Sequence, residues 1–184
     1  MNMEKKWYMV TTIRGKEEKV VESLNNRIIS ESLQEVIGEI KLYIIPHFTP
    51  SGKFKKKNLF PGYIFVEMVM TNDAWFIVRN TQYVTGLIGS SGQRTKPTPV
   101  SLLELKKINR KCEKIWQDYK EGKLEPEVFK KGEIIEVISG SMKGLKGPLI
   151  KYSKEKMTVT VDLTLFDRKT PTELKFEEVE KENA

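Results

Sequence analysis

The fold is decided by residues 58–68, which read Asn58-Leu59-Phe60-Pro61-Gly62-Tyr63-Ile64-Phe65-Val66-Glu67-Met68. The Pro61-Gly62 pair is typical of a tight turn, because proline presets φ and glycine accepts a positive φ. The β-branched and aromatic residues that follow have the composition of a buried strand. The stretch therefore predicts a strand that enters a hydrophobic core. Phe60 and Tyr63 lie on either side of the turn at which this strand begins.

The residues alone leave two functions open for this aromatic pair. Phe60 and Tyr63 either plug the core, as buried aromatic side chains commonly do, or form a docking surface for another macromolecule. A basic loop, residues 53–57, precedes them and carries four lysines.

Hydrophobic periodicity predicts the elements around this strand. Val20, Leu24 and Ile28 recur at helical spacing. Thr71 is a candidate N-cap, and Ser101 with Glu104 forms a capping box. The expected strands are 7–13, 40–48 and 83–89, the helices 16–33, 73–78 and 102–115, and 49–58 is expected to be a loop within a long hairpin over 40–68. This order predicts an α+β layer in which helices pack on an antiparallel sheet.

A second region follows a highly charged segment that contains Gly122 and Pro126. Strands are expected at 134–138, 148–152, 157–165 and 172–176, the last of them closing the chain. Short strands separated by glycine-rich turns favour a small five-stranded β-barrel. We therefore expect three segments: a first domain over 1–115, a flexible linker over 116–127 and a barrel domain over 128–184.

Charge is distributed unevenly along the 184 residues. Residues 1–124 carry 21 Lys and Arg against 13 Asp and Glu, whereas residues 125–184 carry 11 against 12. The basic first part favours association with a polyanion such as nucleic acid, although much of the lysine is ordinary solvated surface. The chain has no run of 18 apolar residues and no signal-like start, and its single Cys112 suits a reducing compartment. A cytoplasmic protein is expected.

No pattern of catalytic or metal-binding residues is found, so we expect neither an enzyme nor a cofactor. The single histidine, His47, lies on an apolar stretch beside Pro46, where a packing role is expected, because a metal or acid–base site needs partners nearby. Cys112 lies on an apolar helical face and is expected to be a buried thiol. The glycines at 140–147 lack the Gly-Lys-Ser/Thr ending of a phosphate-binding loop.

Five blocks in order resemble the NusG family, whose members have an N-terminal NGN domain and a C-terminal KOW domain. The blocks are Trp7-Tyr8, Phe60-Pro61-Gly62-Tyr63, Val78-Arg79-Asn80-Thr81 with Val84-Thr85-Gly86-Leu87-Ile88-Gly89, the Gly140–Gly147 turn and Leu165–Leu174. Departures from the family pattern include Ser141, Met142, Pro148 and Asp167. The resemblance implies a transcription elongation, termination and antitermination factor that is expected to act as a monomer.

The resemblance also implies partners and site residues. Tyr8, Phe60, Pro61, Gly62 and Tyr63 would bind the clamp helices of the largest RNA polymerase subunit. The barrel would bind a small-subunit ribosomal protein (NusE) or the termination factor Rho through a set of five residues: Leu145, Leu165, Phe166, Arg168 and Thr170.

A third implied site is the polar junction at residues 79–81. Arg79, Asn80 and Thr81 would contact non-template DNA, since asparagine and threonine can hydrogen-bond base edges. The alternative is that Asn80 and Thr81 cap a helix and bond locally. The competing function for the whole chain is a ribosome-associated or RNA-binding KOW protein.

Overall fold

A computed structural model of the chain describes residues 4–90 and 95–182. It divides into two compact units, one of Met1–Ile45 and Asn58–Lys114 and the other of Pro46–Lys57 and Ile115–Ala184. In chain order the elements are β1 (Lys6–Thr12), α1 (Glu17–Ser30), β2 (Ile37–Lys41), β3 (Ile44–Phe48), β4 (Phe54–Asn58), β5 (Tyr63–Met68), α2 (Asn72–Arg79), β6 (Val84–Leu87), α3 (Leu102–Lys120), β7 (Ile134–Val137), β8 (Lys146–Ser153), β9 (Thr158–Leu165), β10 (Arg168–Lys175) and β11 (Val179–Lys181). None of the helices in the described ranges combines the length and apolarity needed to cross a membrane. The predicted boundaries at 115 and 127 stay a prediction.

The sheet of the first unit has β5 and β1 at its centre. Its strand order is β2-β5-β1-β6. β1 and β5 are antiparallel, with a register that runs from Lys6 opposite Met68 to Thr11 opposite Tyr63. The predicted strand after the Pro-Gly turn is therefore confirmed and has a neighbour on each side.

Both faces of this sheet are covered by apolar side chains. Ile64, Val66 and Met68 join the core that contains the buried residues of α1 and α2. Phe65 belongs to a second cluster, with Tyr43 and the α3 residue Leu105. Because strand side chains alternate between faces, β5 needs apolar residues at nearly every position, which explains its continuous hydrophobic sequence.

Side chains cap α2 and α3 at their first turns, as predicted. The Thr71 hydroxyl accepts a hydrogen bond from the Ala74 amide at 3.1 Å. The Ser101 hydroxyl accepts one from the Glu104 amide at 3.2 Å, and the Glu104 carboxylate accepts one from the Ser101 amide at 3.1 Å. These bonds satisfy amides at the helix start that have no partner within the helix.

The predicted long hairpin over 40–68 is wrong. The expected strand over 40–48 is two strands, since β2 ends at Lys41 and pairs with β5, and β3 begins at Ile44 and pairs with β4. The expected loop over 49–58 contains a strand, β4. A turn in which the Thr49 amide donates to the Lys53 carbonyl at 2.9 Å brings β4 back beside β3.

Contacts within the second unit explain why this lysine-rich segment is a strand. The Phe48 and Phe54 rings pack edge-on across the β3–β4 pair, with centroids 6.0 Å apart. Lys55 forms an ion pair with Glu180, and Lys57 forms one with Glu127. Partners distant in the sequence thus compensate for the low strand propensity of lysine.

The C-terminal part of the second unit is a five-stranded antiparallel sheet of order β10-β9-β8-β7-β11. The predicted fold class is confirmed for both parts of the chain. Two bounds differ from expectation: β10 begins at Arg168, ahead of the predicted start, and the last strand is β11, whose Val179 lies opposite Val137 of β7. Nine buried hydrophobic residues form its core: Phe129, Ile135, Val137, Leu149, Val159, Val161, Leu163, Phe176 and Val179.

Candidate functional site

The Pro61-Gly62 pair forms a β-turn that is closed by main-chain and side-chain bonds. The Tyr63 amide donates to the Phe60 carbonyl at 3.1 Å, which makes Pro61 and Gly62 the two central residues. Gly62 has φ +82°, as the second central residue of a type II turn requires. The Asn58 side-chain oxygen accepts from the Phe60 amide at 3.0 Å. The turn therefore fixes the positions of Phe60 and Tyr63 relative to each other.

A carboxylate from α1 holds the same turn from the other side. Glu17 accepts a hydrogen bond from the Gly62 amide at 2.6 Å, and the Thr12 amide donates to the Gly62 carbonyl at 2.8 Å. The Glu17 side chain is only 8% exposed. Nothing in the sequence indicated this contact, because its partner lies 45 residues away. Glu17 is therefore a positioning residue for the turn.

The two aromatic residues of the turn are half-buried. The Phe60 ring lies edge-on to Tyr43 and Phe65, with centroids 5.9 Å and 5.4 Å apart. Tyr63 begins β5 directly opposite Thr11. Each of the two residues is partly packed and partly exposed, which fits both functions that the sequence left open. The assignment of Phe60 and Tyr63 to a binding surface therefore stays a prediction.

Tyr8 lies apart from this pair. It is 5% exposed and belongs to the core beneath α1 and α2, whereas Phe60 packs against the cluster on the other face of the sheet. Burial raises the pKa of the Tyr8 hydroxyl. The structure does not bring Tyr8 together with Phe60 and Tyr63, and its predicted role in polymerase binding stays untested.

The polar junction after α2 combines exposed and buried members. Thr81 is 3% exposed and its hydroxyl donates to the Ile77 carbonyl at 2.7 Å. The Asn80 amide group donates to the Phe76 carbonyl at 2.8 Å. These are the local bonds of the alternative interpretation, although Asn80 and Arg79 are exposed to solvent. Gln82, also exposed, was not among the predicted site residues.

The predicted partner surface of the C-terminal sheet is centred on the β9–β10 turn. Phe166 at its tip is 99% exposed. Phe166 and Asp167 both have a positive φ, +49° and +60°, which is the pattern of a type I′ hairpin turn. Arg168 and Thr170 on β10 are exposed as well, and Leu165 is half-buried. Leu145 lies before β8 and packs against the core.

His47 and Cys112, which the sequence analysis singled out, both have a pKa that burial shifts. In residues 4–90 and 95–182, no group of three or more His, Cys, Asp or Glu could hold a metal ion. His47 is half-buried on β3, and its burial lowers the pKa of the imidazole. Burial raises the pKa of the Cys112 thiol, which disfavours the reactive thiolate.

Comparison with known proteins identifies relatives over nearly the whole chain. A family model described as "Transcription termination factor nusG" matches residues 5–109. The Transcription termination/antitermination protein NusG of Bacillus subtilis (strain 168) is 36% identical over 185 residues, with 97% of this chain and 99% of the relative covered. The protein of the same name from Lactococcus lactis subsp. lactis (strain IL1403) is 36% identical over 183 residues, covering 98% and 95%.

The same comparison extends to solved structures. The one described as "Domain interaction in Thermotoga maritima NusG" has 35% sequence identity to this chain and a TM-score of 0.47, with 97% of this chain and 98% of that chain covered.

An NGN-like α+β domain followed by a KOW-like five-stranded sheet defines a class of transcription factors. The relatives at this level of identity are transcription termination/antitermination proteins. This chain belongs to the NusG family.

Proposed function

We propose that this protein is a non-enzymatic elongation factor that binds the clamp helices of RNA polymerase through its Phe60–Tyr63 turn. The observation that carries the proposal is the turn itself, which is held by Asn58 and Glu17 while its two aromatic rings stay half-buried. A preorganised pair of aromatic residues loses little side-chain freedom on binding, and such residues commonly dominate an interface. Tyr8, buried beneath α1 and α2, would act as support within the sheet.

The proposed mechanism is a bias toward the closed polymerase cleft. A protein that binds the closed state better than the open one shifts the population toward it. Closed complexes are expected to backtrack and pause less, and the energy for this shift comes only from the difference in affinity. The proposed compartment is the cytoplasm, where bacterial polymerase acts.

Two further contacts belong to the proposal. Arg79 and Asn80 would touch non-template DNA, since both side chains are exposed; Thr81, which is buried, would orient them. A domain over 128–184, tethered by the segment 116–127, would recruit the ribosomal protein NusE or Rho. Its exposed Phe166, beside the exposed Arg168 and Thr170, supports this assignment, because aromatic and arginine side chains are enriched among the residues that dominate binding energy.

Phe60→Ala tests the polymerase contact. We expect retention by purified polymerase to fall about 30-fold, the equivalent of an interface residue worth about 2 kcal/mol, and the effect on pausing to be lost. Phe76→Ala is the matched control, because Phe76 is 57% exposed on α2 and belongs neither to the turn nor to the apolar cluster around Phe60. Equal retention of the two variants would refute the site. Tyr63→Ala repeats the test at a residue outside the Tyr43–Phe65 ring cluster.

Replacing Arg79 and Asn80 with alanine tests the DNA contact. Pausing should change only at particular sequences, because base-edge contacts carry sequence information and phosphate contacts do not. A uniform loss at all pauses would contradict a base contact.

Direct co-sedimentation with RNA in the absence of polymerase, lost at moderate salt, would instead favour the RNA-binding function.

A further inference from the structure

Tyr83, which follows the polar junction, has a backbone conformation that is unusual for an aromatic residue. Its φ is +70°, in the left-handed region that glycine adopts freely and bulky residues avoid. Its backbone is held in place, since the Tyr83 carbonyl accepts a hydrogen bond from the Ile13 amide at 2.9 Å. A strained residue that its surroundings hold fixed points to a use for its side chain.

A cation lies over the Tyr83 ring. The Lys16 ammonium is 5.7 Å from the ring centroid. Tyr83 also packs against the core of the α1 and α2 face, so the ring is supported from inside the protein. An ammonium group keeps its hydration unless it is paired. Lys16 and Tyr83 are both half-buried, so part of the ring and of the cation above it is open to solvent. The flexible lysine side chain is able to leave the ring.

The surroundings of this ring match those of single-stranded nucleic-acid sites. Such sites combine a flat aromatic face, on which a base stacks, with cations for the adjacent phosphates. Arg79 is an exposed cation four residues before Tyr83, in addition to Lys16 over the ring, and the neutral Asn80 and Gln82 are exposed as well. A duplex buries its base faces in its own stack, so an aromatic face distinguishes single strands from duplexes.

We propose that Tyr83 and Lys16 form a stacking site for one base of single-stranded DNA. The base takes the ring face, and the Lys16 ammonium moves from the ring to a phosphate of the same strand. The cation–π contact is thereby exchanged for a charge-assisted hydrogen bond, and no charge is left unpaired. The inference deepens the proposed non-template contact, on which it rests for its biological setting, by adding the residue that recognises an unpaired base.

The test measures binding of a fluorescein-labelled oligothymidine to the full chain by fluorescence anisotropy. Tyr83→Ala should weaken binding about 5-fold or more, as loss of one stacked base does, whereas Tyr83→Phe should bind as the wild type does. Tyr152→Ala removes an exposed tyrosine of β8 and is the matched control, expected to leave binding unchanged. Lys16→Gln should weaken binding and make it less sensitive to salt.

Tyr83→Gly separates the ring from the backbone. Glycine accepts φ +70° without strain, so this variant should have a higher thermal midpoint than Tyr83→Ala and yet bind the oligonucleotide as poorly. Three results would overturn the inference: wild-type affinity in Tyr83→Ala, no binding of oligothymidine by the wild type, or equal affinity of the wild type for a duplex.

Polymerase retention distinguishes this inference from the proposed function. If Phe60→Ala loses polymerase but Tyr83→Ala binds oligothymidine normally, the stacking site is wrong and the polymerase contact stands. If oligonucleotide binding depends on Tyr83 while polymerase retains no wild-type protein, the stacking site stands and the proposed function falls.

Discussion

Replacing Glu17 with alanine removes the carboxylate that accepts the Gly62 amide hydrogen bond. Hydrogen bonds to charged groups contribute about 1.5–3 kcal/mol, and the loss falls within this range because Glu17 is buried and its partner stays behind unsatisfied. We therefore expect the free energy of unfolding of the first unit to fall by about 2 kcal/mol. Glu17→Gln keeps a neutral acceptor and should lose about half as much.

Urea unfolding followed by circular dichroism measures this loss, and amide hydrogen exchange locates it. Exchange of the Gly62 amide should accelerate in Glu17→Ala more than exchange in β1, because the lost bond opens the turn locally. Polymerase retention should fall with it, since a loosened turn must be ordered again on binding. We expect polymerase retention to decrease in the order wild type, Glu17→Gln, Glu17→Ala.

Glu18→Ala is the matched control for this series. Glu18 occupies the same first turn of α1 and shares the favourable interaction with the helix dipole, but it is exposed. Its replacement should therefore cost only a few tenths of a kcal/mol, up to about 1. Equal losses in Glu17→Ala and Glu18→Ala, with unchanged exchange at Gly62, would refute the assignment of Glu17 to the turn.

Three other predictions concern single residues. Gly147→Ala should lower the free energy of unfolding of the C-terminal sheet by about 3 kcal/mol or more, measured by thermal denaturation, because a Cβ at this position would collide with the backbone carbonyl of Asp162. A variant as stable as the wild type would refute this packing. Asp167→Gly should raise stability by up to about 1 kcal/mol, since glycine relieves the positive φ; a lower thermal midpoint would contradict the turn type. Alkylation of Cys112 should have its pH midpoint above that of the same thiol in urea, because burial raises its pKa and delays thiolate formation; coincident midpoints would show an exposed thiol.

The sequence predicted features that depend on neighbours along the chain. The Pro61-Gly62 turn and the Thr71 cap involve partners within four residues, and the structure contains both. It did not predict β4, because lysines are poor strand formers and the acids that pair with them lie far away. The role of Glu17 was missed for the same reason.

The position of Tyr8, on the face of the sheet opposite Phe60, was missed for a different reason. When one face of a sheet is exposed, polar and apolar residues alternate and reveal which side chains point inward. In β1 the residues of both faces are apolar, because α1 and α2 cover one face and the cluster with Leu105 covers the other. Alternation therefore gave no signal that Tyr8 and Phe60 lie on opposite sides.

The strand order of the first unit has a consequence during synthesis. β1 is a central strand, and both of its neighbours, β5 and β6, lie later in the chain. At about 5–20 residues per second, the ribosome needs several seconds to make the roughly 50 residues between β1 and β5. During that interval the apolar residues of β1 have no strand to pair with on either edge. The nascent chain is therefore expected to depend on the exit tunnel or a chaperone to shield residues 6–12 until β5 emerges.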